Sequence, residues 1–344
     1  MKFKQKCLRD QVIVLTGATS GIGLVTARMA AKRGARLMLV ARNPAALQAL
    51  TDEINASGGR AMFAVADVAQ ETDLGAAASD AINAFGGIDT WINNAGVSIY
   101  GNLEDVPHED SRRLFETNFW GVVNGSLIAA REMNASGGTI INVGSTLSDR
   151  SIPLQGMYCA SKHAVKGFTD SLRMELEAKG VPVSLSLVKP SAIDTPYKDH
   201  AKNYLPVRPE NPAPVYAPET VAETILHCAE NTVRDVFVGG GGKALSVAGE
   251  TVPRLTDIMM EKAMISAQMS AEAPDGSLES LHEPNDDSLT ERGGYGGHVA
   301  ESSAYTQASL HPFAAGALTA VGIGAFFAIG RKLRGTKNSL PEGH

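Results

Sequence analysis

The sequence predicts a doubly wound α/β domain, with a parallel sheet of seven strands covered by helices on both faces. Short β-branched runs alternate with helix-period stretches up to about residue 245, the pattern that strand–helix–strand crossovers produce. Most of the strand runs are apolar throughout rather than alternating, as strands buried on two sides require. The first run, Val12 to Thr16, ends in a glycine loop that opens a helix.

The strand runs are 12–16, 36–40, 61–66, 90–93, 139–143, 183–188 and 235–238, and the helical stretches between them are 22–33, 44–57, 71–85, 108–133, 154–179 and 218–231. Residues 1–245 thus form one catalytic-size domain. Between 196 and 218 six prolines break the rhythm, which marks a lid or an insertion. The run Gly239–Gly242 before Lys243 lacks phosphate-loop spacing and reads as the exit from the last strand. Residues 246–272 carry a Met-rich amphipathic stretch, 251–269, expected to pack on the domain as a helix; a partner-binding or membrane-surface helix is the alternative. Residues 273–312 hold seven acids against one base, Arg292, and read as a flexible acidic linker. The stretch 313–330 has 18 residues without a charge. At ~1.5 Å per residue it reaches ~27 Å, near a ~30 Å hydrocarbon core, which reads as a membrane-anchor helix. A soluble helix is the alternative there, and 331–344 is a short basic tail.

The net charge is −6, which argues against a nucleic-acid partner. Cys7, Cys159 and Cys228 stand far apart, with neither disulfide nor metal spacing, and no export signal precedes the first strand. A reducing, cytoplasmic setting without a metal follows, with membrane association only through 313–330.

The loop Thr16-Gly17-Ala18-Thr19-Ser20-Gly21-Ile22-Gly23 follows a strand and opens a helix, where glycines let the backbone approach a pyrophosphate. The helix N-terminus adds unpaired N–H groups. Gly17, Thr19, Ser20, Gly21, Ile22 and Gly23 are therefore candidate cofactor contacts in a Rossmann-type sheet. The second strand ends Val40-Ala41-Arg42-Asn43 with no acid for ribose hydroxyls. The planar fork of Arg42, with Asn43 beside it, favours a 2′-phosphate, hence NADP(H) over NAD(H). The plainer reading has Arg42 merely capping the next helix.

Tyr158 and Lys162 stand at i and i+4 on one helix face, and Ser145 lies at the end of the fifth strand. An ammonium near a phenol is expected to lower its pKa toward neutrality and make a general acid/base. A serine hydroxyl can stabilise charge on the reacting oxygen.

These motifs in this order resemble the short-chain dehydrogenase/reductase family over about residues 8–243: Thr16–Gly23, Asp67-Val68, Asn93-Asn94-Ala95-Gly96, Asn118 with Gly121, Ser145, and Tyr158 with Lys162. The resemblance implies that Asp67 and Val68 meet the adenine, and that Asn94, Ala95 and Gly96 support the cofactor. It implies further that Tyr158 transfers the proton, Ser145 positions the substrate oxygen, and Lys162 binds the nicotinamide ribose and tunes Tyr158. Asn118 would kink its helix and hold a water leading to Lys162, while Pro190, Ile193 and Thr195 would contact the carboxamide. Where the family has Pro-Gly, this chain has Pro190-Ser191. The implied protein is a homodimer or homotetramer that interconverts a small-molecule alcohol and carbonyl with NADP(H). An anchored chain would favour an apolar substrate. A non-catalytic NADP-binding sensor or interaction protein on the same fold is the rival reading.

Overall fold

The computed structural model describes residues 4–276, 278–285 and 289–311; the expected anchor 313–330 and the tail 331–344 lie outside the described residues. Seven parallel strands form the central sheet: β1 (Val12–Thr16), β2 (Arg36–Ala41), β3 (Arg60–Val65), β4 (Thr90–Asn93), β5 (Gly138–Val143), β6 (Val183–Pro190) and β7 (Asp235–Val238). Their spatial order is β7-β6-β5-β4-β1-β2-β3. The order reverses at β1, which lies between β2 and β4, so a crevice opens beyond the carboxyl ends of these strands.

Alternate residues of β1 enter two different cores. Ile13 and Leu15 pack with α1 (Gly21–Lys32) and α2 (Pro44–Ala56) on one face, whereas Val14 packs with α3 (Glu71–Phe85) on the other. Both sides are dry, and each such side chain contributes about 1.5–3 kcal/mol by leaving water. This is why the strand has no polar face. β3, at the sheet edge, is the exception, with Met62 and Val65 exposed.

The expected helix 108–133 is a single rod with a defect. It runs as α4 (His108–Phe115), a π turn Glu116–Trp120, and α5 (Gly121–Glu132). Wide turns of this kind gather at functional positions, and Asn118 sits inside this one. Next come α6 (Gly156–Ala178) and α7 (Pro218–Glu230), which flank opposite faces of the sheet. The proline-rich stretch between β6 and α7 is folded rather than loose: a helical turn Tyr197–His200 leads into Lys202–Asn203, paired with Ile99–Tyr100, and then Val215–Tyr216, paired with Ala192–Ile193.

One C-terminal expectation needs correction and another needs refinement. Gly239, at φ +104°, does end β7, but α8 (Gly240–Thr251) starts within the glycine run itself. The expected helix 251–269 is α9 (Pro253–Met259) followed by a π turn Met260–Met264, with Met260 buried against Ile152 and Cys159. That matches the packed reading of this stretch.

The acidic stretch after 273 was expected to be flexible, yet its described residues lie along the domain. Two of its acids meet cations of the domain, Lys202–Glu279 at 2.8 Å and Arg28–Glu291 at 2.7 Å, and its own Arg292 meets Glu219 of the domain at 2.9 Å. Leu281 is fully buried among Val97, Val106, Leu114 and Tyr158, and Val299–Ala300 pairs in parallel with Val215–Tyr216. Charge count misses this because one buried leucine and a few paired charges are enough to dock a segment.

Candidate active site

The glycine loop is braced from β4. Thr16 Oγ1 accepts from the Asn94 and Ala95 amides at 3.0 and 3.1 Å, and Asn94 Nδ2 donates to the Thr16 and Gly17 carbonyls. The approach is so close that a Cβ on Gly17 would stand 2.8 Å from Ala95 Cα, and one on Gly23 would stand 1.9 Å from the Gly17 carbonyl oxygen. Only glycine lets this loop, strand and helix meet.

At the outer end of the crevice a cavity of about 120 Å³ is lined by Gly17, Thr19, Ser20, Arg42, Asn43, Asp67 and Val68. With Gly96, which also lines it, the cavity brings together eight of the expected cofactor contacts. Several of them, Arg42 and Asp67 among them, also have intramolecular partners. Arg42 donates to the backbone carbonyls of Ser280 and His282, the latter at 2.9 Å. Burial, reinforced by the nearby Arg113, lowers its pKa from the ordinary value. The Asp67 carboxylate is paired with Arg113 at 2.6 Å, a contact the sequence did not reveal.

The inner end is a larger cavity of about 520 Å³ reached by Ser145, Tyr158, Lys162, Pro190, Ile193 and Thr195. Gly96 lines both cavities, so the two adjoin at that residue. Ser145 follows β5 and starts a short 3-10 turn, where its Oγ accepts from the Leu147 amide at 3.0 Å. That leaves the hydroxyl proton available, and Ser145 eases ionisation of the Tyr158 phenol. Lys162 Nζ donates to the Val143 carbonyl at 2.9 Å and lies 5.6 Å from the centre of the Tyr158 ring. Asn118, wholly buried, holds the backbone of Val97 through both side-chain atoms and donates to Ser161 Oγ at 3.2 Å.

The expected electrostatics of the pair are overturned. Burial raises Tyr158 to about 12, against the opposing hydrogen bonds from Tyr197 and Ser145. Burial also pushes Lys162 down from 10.5 to about 8. Helical spacing put the two residues on one face but said nothing about desolvation, which is the largest cause of both shifts. Ser191, in place of the family's glycine, does not need a left-handed backbone. Its amide donates to the Val238 carbonyl, tying the turn to β7.

Tyr197 belongs to the 196–218 stretch, whose tyrosines and cations fit either an aromatic-lined or an anionic pocket, but the sequence does not set it beside Tyr158. Its phenol hydrogen-bonds Ser98 Oγ at 2.7 Å and donates to Gln155 Oε1 at 3.0 Å, and its ring meets that of Tyr158 edge to face at 5.5 Å. Nothing in local spacing signals this; the short strand pairing after Tyr197 brings it back to the cleft.

Residues 11–204 match the short chain dehydrogenase family. The chain is 45% identical over 322 residues to an uncharacterized oxidoreductase, YxnA, of Bacillus subtilis, covering 93% of this chain and 90% of the relative. It is 32% identical over 252 residues to the bovine (Bos taurus) dehydrogenase/reductase SDR family member 7B, covering 70% and 77% respectively. Among solved structures, a short-chain type dehydrogenase/reductase from Mycobacterium marinum aligns with a TM-score of 0.60 at 29% identity over 69% of this chain and 96% of that one. One from Burkholderia phymatum, solved in complex with NAD, aligns at 0.61 and 25% identity over 80% and 99%. Matched motifs, sheet order and relatives agree: the chain belongs to the short-chain dehydrogenase/reductase family of oxidoreductases.

Proposed function

We propose that the protein interconverts an alcohol and a carbonyl with NADP(H), Tyr158 exchanging the proton. The observation that carries this reading is that the cavity at the glycine loop and the cavity at Ser145, Tyr158 and Lys162 adjoin at Gly96. A bound nicotinamide supplies the hydride chemistry. Ser145 donates a hydrogen bond to the substrate oxygen, and Tyr158 gives its proton to that oxygen on reduction. A phenol held near 12 is protonated at neutral pH, the form that can give its proton to the carbonyl oxygen. Lys162, beside the phenol and anchored on Val143, holds the ribose end of the cofactor. Asn118 fixes the backbone at Val97 next to it.

The inner cavity supports an apolar substrate, since its outer wall is built from Leu147, Ile152, Leu245, Met259, Met260 and Met264. NADPH oxidation should therefore be fastest with large apolar aldehydes or ketones in a graded carbonyl panel. No turnover with any carbonyl would remove the proposal. Homo-oligomerisation through the helices that carry Asn118 and Tyr158 is supported by exposed Trp120, Leu127 and Met174 on them; a full chain sedimenting as a monomer would count against it.

Arg42 supports the preference for NADP(H), as a planar cation where NAD sites carry an acid. Arg42→Asp is expected to reverse the ratio of kcat/KM values for NADPH and NADH, because a carboxylate repels the 2′-phosphate and accepts from ribose hydroxyls. An unchanged ratio would mean Arg42 is not the reader.

A further inference from the structure

We propose that the C-terminal segment, through residues 278–285 and 289–290, is the second wall of the nucleotide site. It would clasp the adenosine half of an adenine dinucleotide against the glycine loop and the end of β2. This rests on the reading of the cleft as a dinucleotide site. The outer cavity is lined on one side by Thr19, Arg42 and Asp67, and on the other by Ser280, Pro284 and Asn285. The same segment bonds the glycine loop itself. The Leu289 amide donates to the Thr19 carbonyl at 3.1 Å, and the Gly21 amide donates to the Thr290 carbonyl at 2.9 Å. Beside them Asn43 Nδ2 donates to the Asn285 carbonyl at 2.9 Å, and Arg42 spans the carbonyls of Ser280 and His282.

These contacts fall on positions the loop and strand end would turn toward a dinucleotide. The cavity they leave, about 120 Å³, is below the roughly 300 Å³ at which ligand pockets begin. The segment must therefore swing outward to admit the nucleotide and then close over it. An incoming 2′-phosphate would take the donors that Arg42 now gives to neutral carbonyls, a charge-assisted exchange that favours the phosphate. The closed position is held from outside the cavity. Glu279 pairs with Lys202, His282 with Asp110 at 2.8 Å and Glu291 with Arg28, while Leu281 is buried beneath. Nucleotide release is then limited by opening of this clasp.

The test uses the full chain with NADPH and with NADH. Hydrogen exchange of residues 278–285 and 289–300 is followed with and without nucleotide, and release is timed by stopped-flow nucleotide fluorescence. The comparison protein is the full-length triple variant Glu279→Ala, His282→Ala, Glu291→Ala, which loosens the clasp without altering a cavity-lining side chain. Bound nucleotide is expected to slow exchange in the segment. The variant is expected to release it about fivefold faster, the size of effect that removing three partly exposed pairs produces. Nucleotide that binds while exchange in the segment stays unchanged, or release that is equally fast in both proteins, overturns the clasp and leaves the proposed function standing. A chain that binds neither nucleotide overturns both. Should the variant fail to fold, the exchange arm on the unaltered protein decides alone.

Discussion

Tyr158→Phe is expected to lower kcat for NADPH-dependent carbonyl reduction by about a thousandfold, within the ~10²–10⁴ that general acid–base catalysis contributes. The substitution keeps the ring, and with it the edge-to-face contact with Tyr197 and the packing against Leu114 and Leu281. It removes one oxygen, the atom that Ser145 and Tyr197 approach. Dinucleotide affinity should change by less than about twofold, because the glycine loop and Arg42 line the other cavity. Steady-state kinetics with the best carbonyl and a fluorescence titration of NADPH separate the two effects. Turnover at the normal rate in the phenylalanine variant would show that the proton passes elsewhere.

The sheet was legible because periodicity reports burial on two faces, and β1 and β2 have little polar content to obscure it. The start of α8 was not legible. Three consecutive glycines, Gly240 to Gly242, each cost a helix roughly 1 kcal/mol relative to alanine. The reason for them is tertiary: a Cβ on Gly242 would stand 2.2 Å from Thr146 Oγ1 and 2.4 Å from Ser191 Oγ. At the site, residue types and spacing identified Ser145, Tyr158 and Lys162 as one group, and the fold brings them to one cavity. Their proton affinities were misjudged because they depend on how deeply the cleft buries them. Tyr197 and Arg113 were invisible for a related reason. Each reaches its partner only through the fold, Arg113 meeting Asp67 across 46 residues of chain. The segment after 273 misled because its composition is that of a linker, whereas its position depends on Leu281 and on which cations it passes.

Lys162→Met is expected to make the protein more stable at pH 7 while reducing turnover at least a hundredfold. Lys162 is only 4% exposed, and no carboxylate contributes to its lowered pKa, which burial alone produces. The drop from 10.5 to about 8 corresponds to about 3 kcal/mol of penalty on the charged form. Methionine fills similar space without that penalty, but it leaves the Val143 carbonyl without its donor, a loss of about 1–3 kcal/mol. A net gain of about 1 kcal/mol, or roughly 2–4 °C in Tm for a domain of this size, is the expected balance. The sign of its pH dependence follows from proton counting. Below about 8 the lysine is charged in folded and unfolded chains alike, so the folded protein bears the full penalty. Between about 8 and 10.5 the unfolded chain binds more protons, so stability of the unaltered protein rises with pH, and above 10.5 the penalty is gone. Tyr158 acts in the opposite sense above 10, where its raised pKa keeps the folded chain protonated, but it is present in both proteins and cancels in the difference. Denaturant unfolding of both should therefore show the methionine variant ahead at pH 7 and behind the unaltered protein at pH 10, because the rise through about 8 returns to the lysine protein about 3 kcal/mol, more than that lead. A variant less stable than the unaltered protein at pH 7 would mean that Lys162 is held by favourable contacts that outweigh the cost of burying its charge.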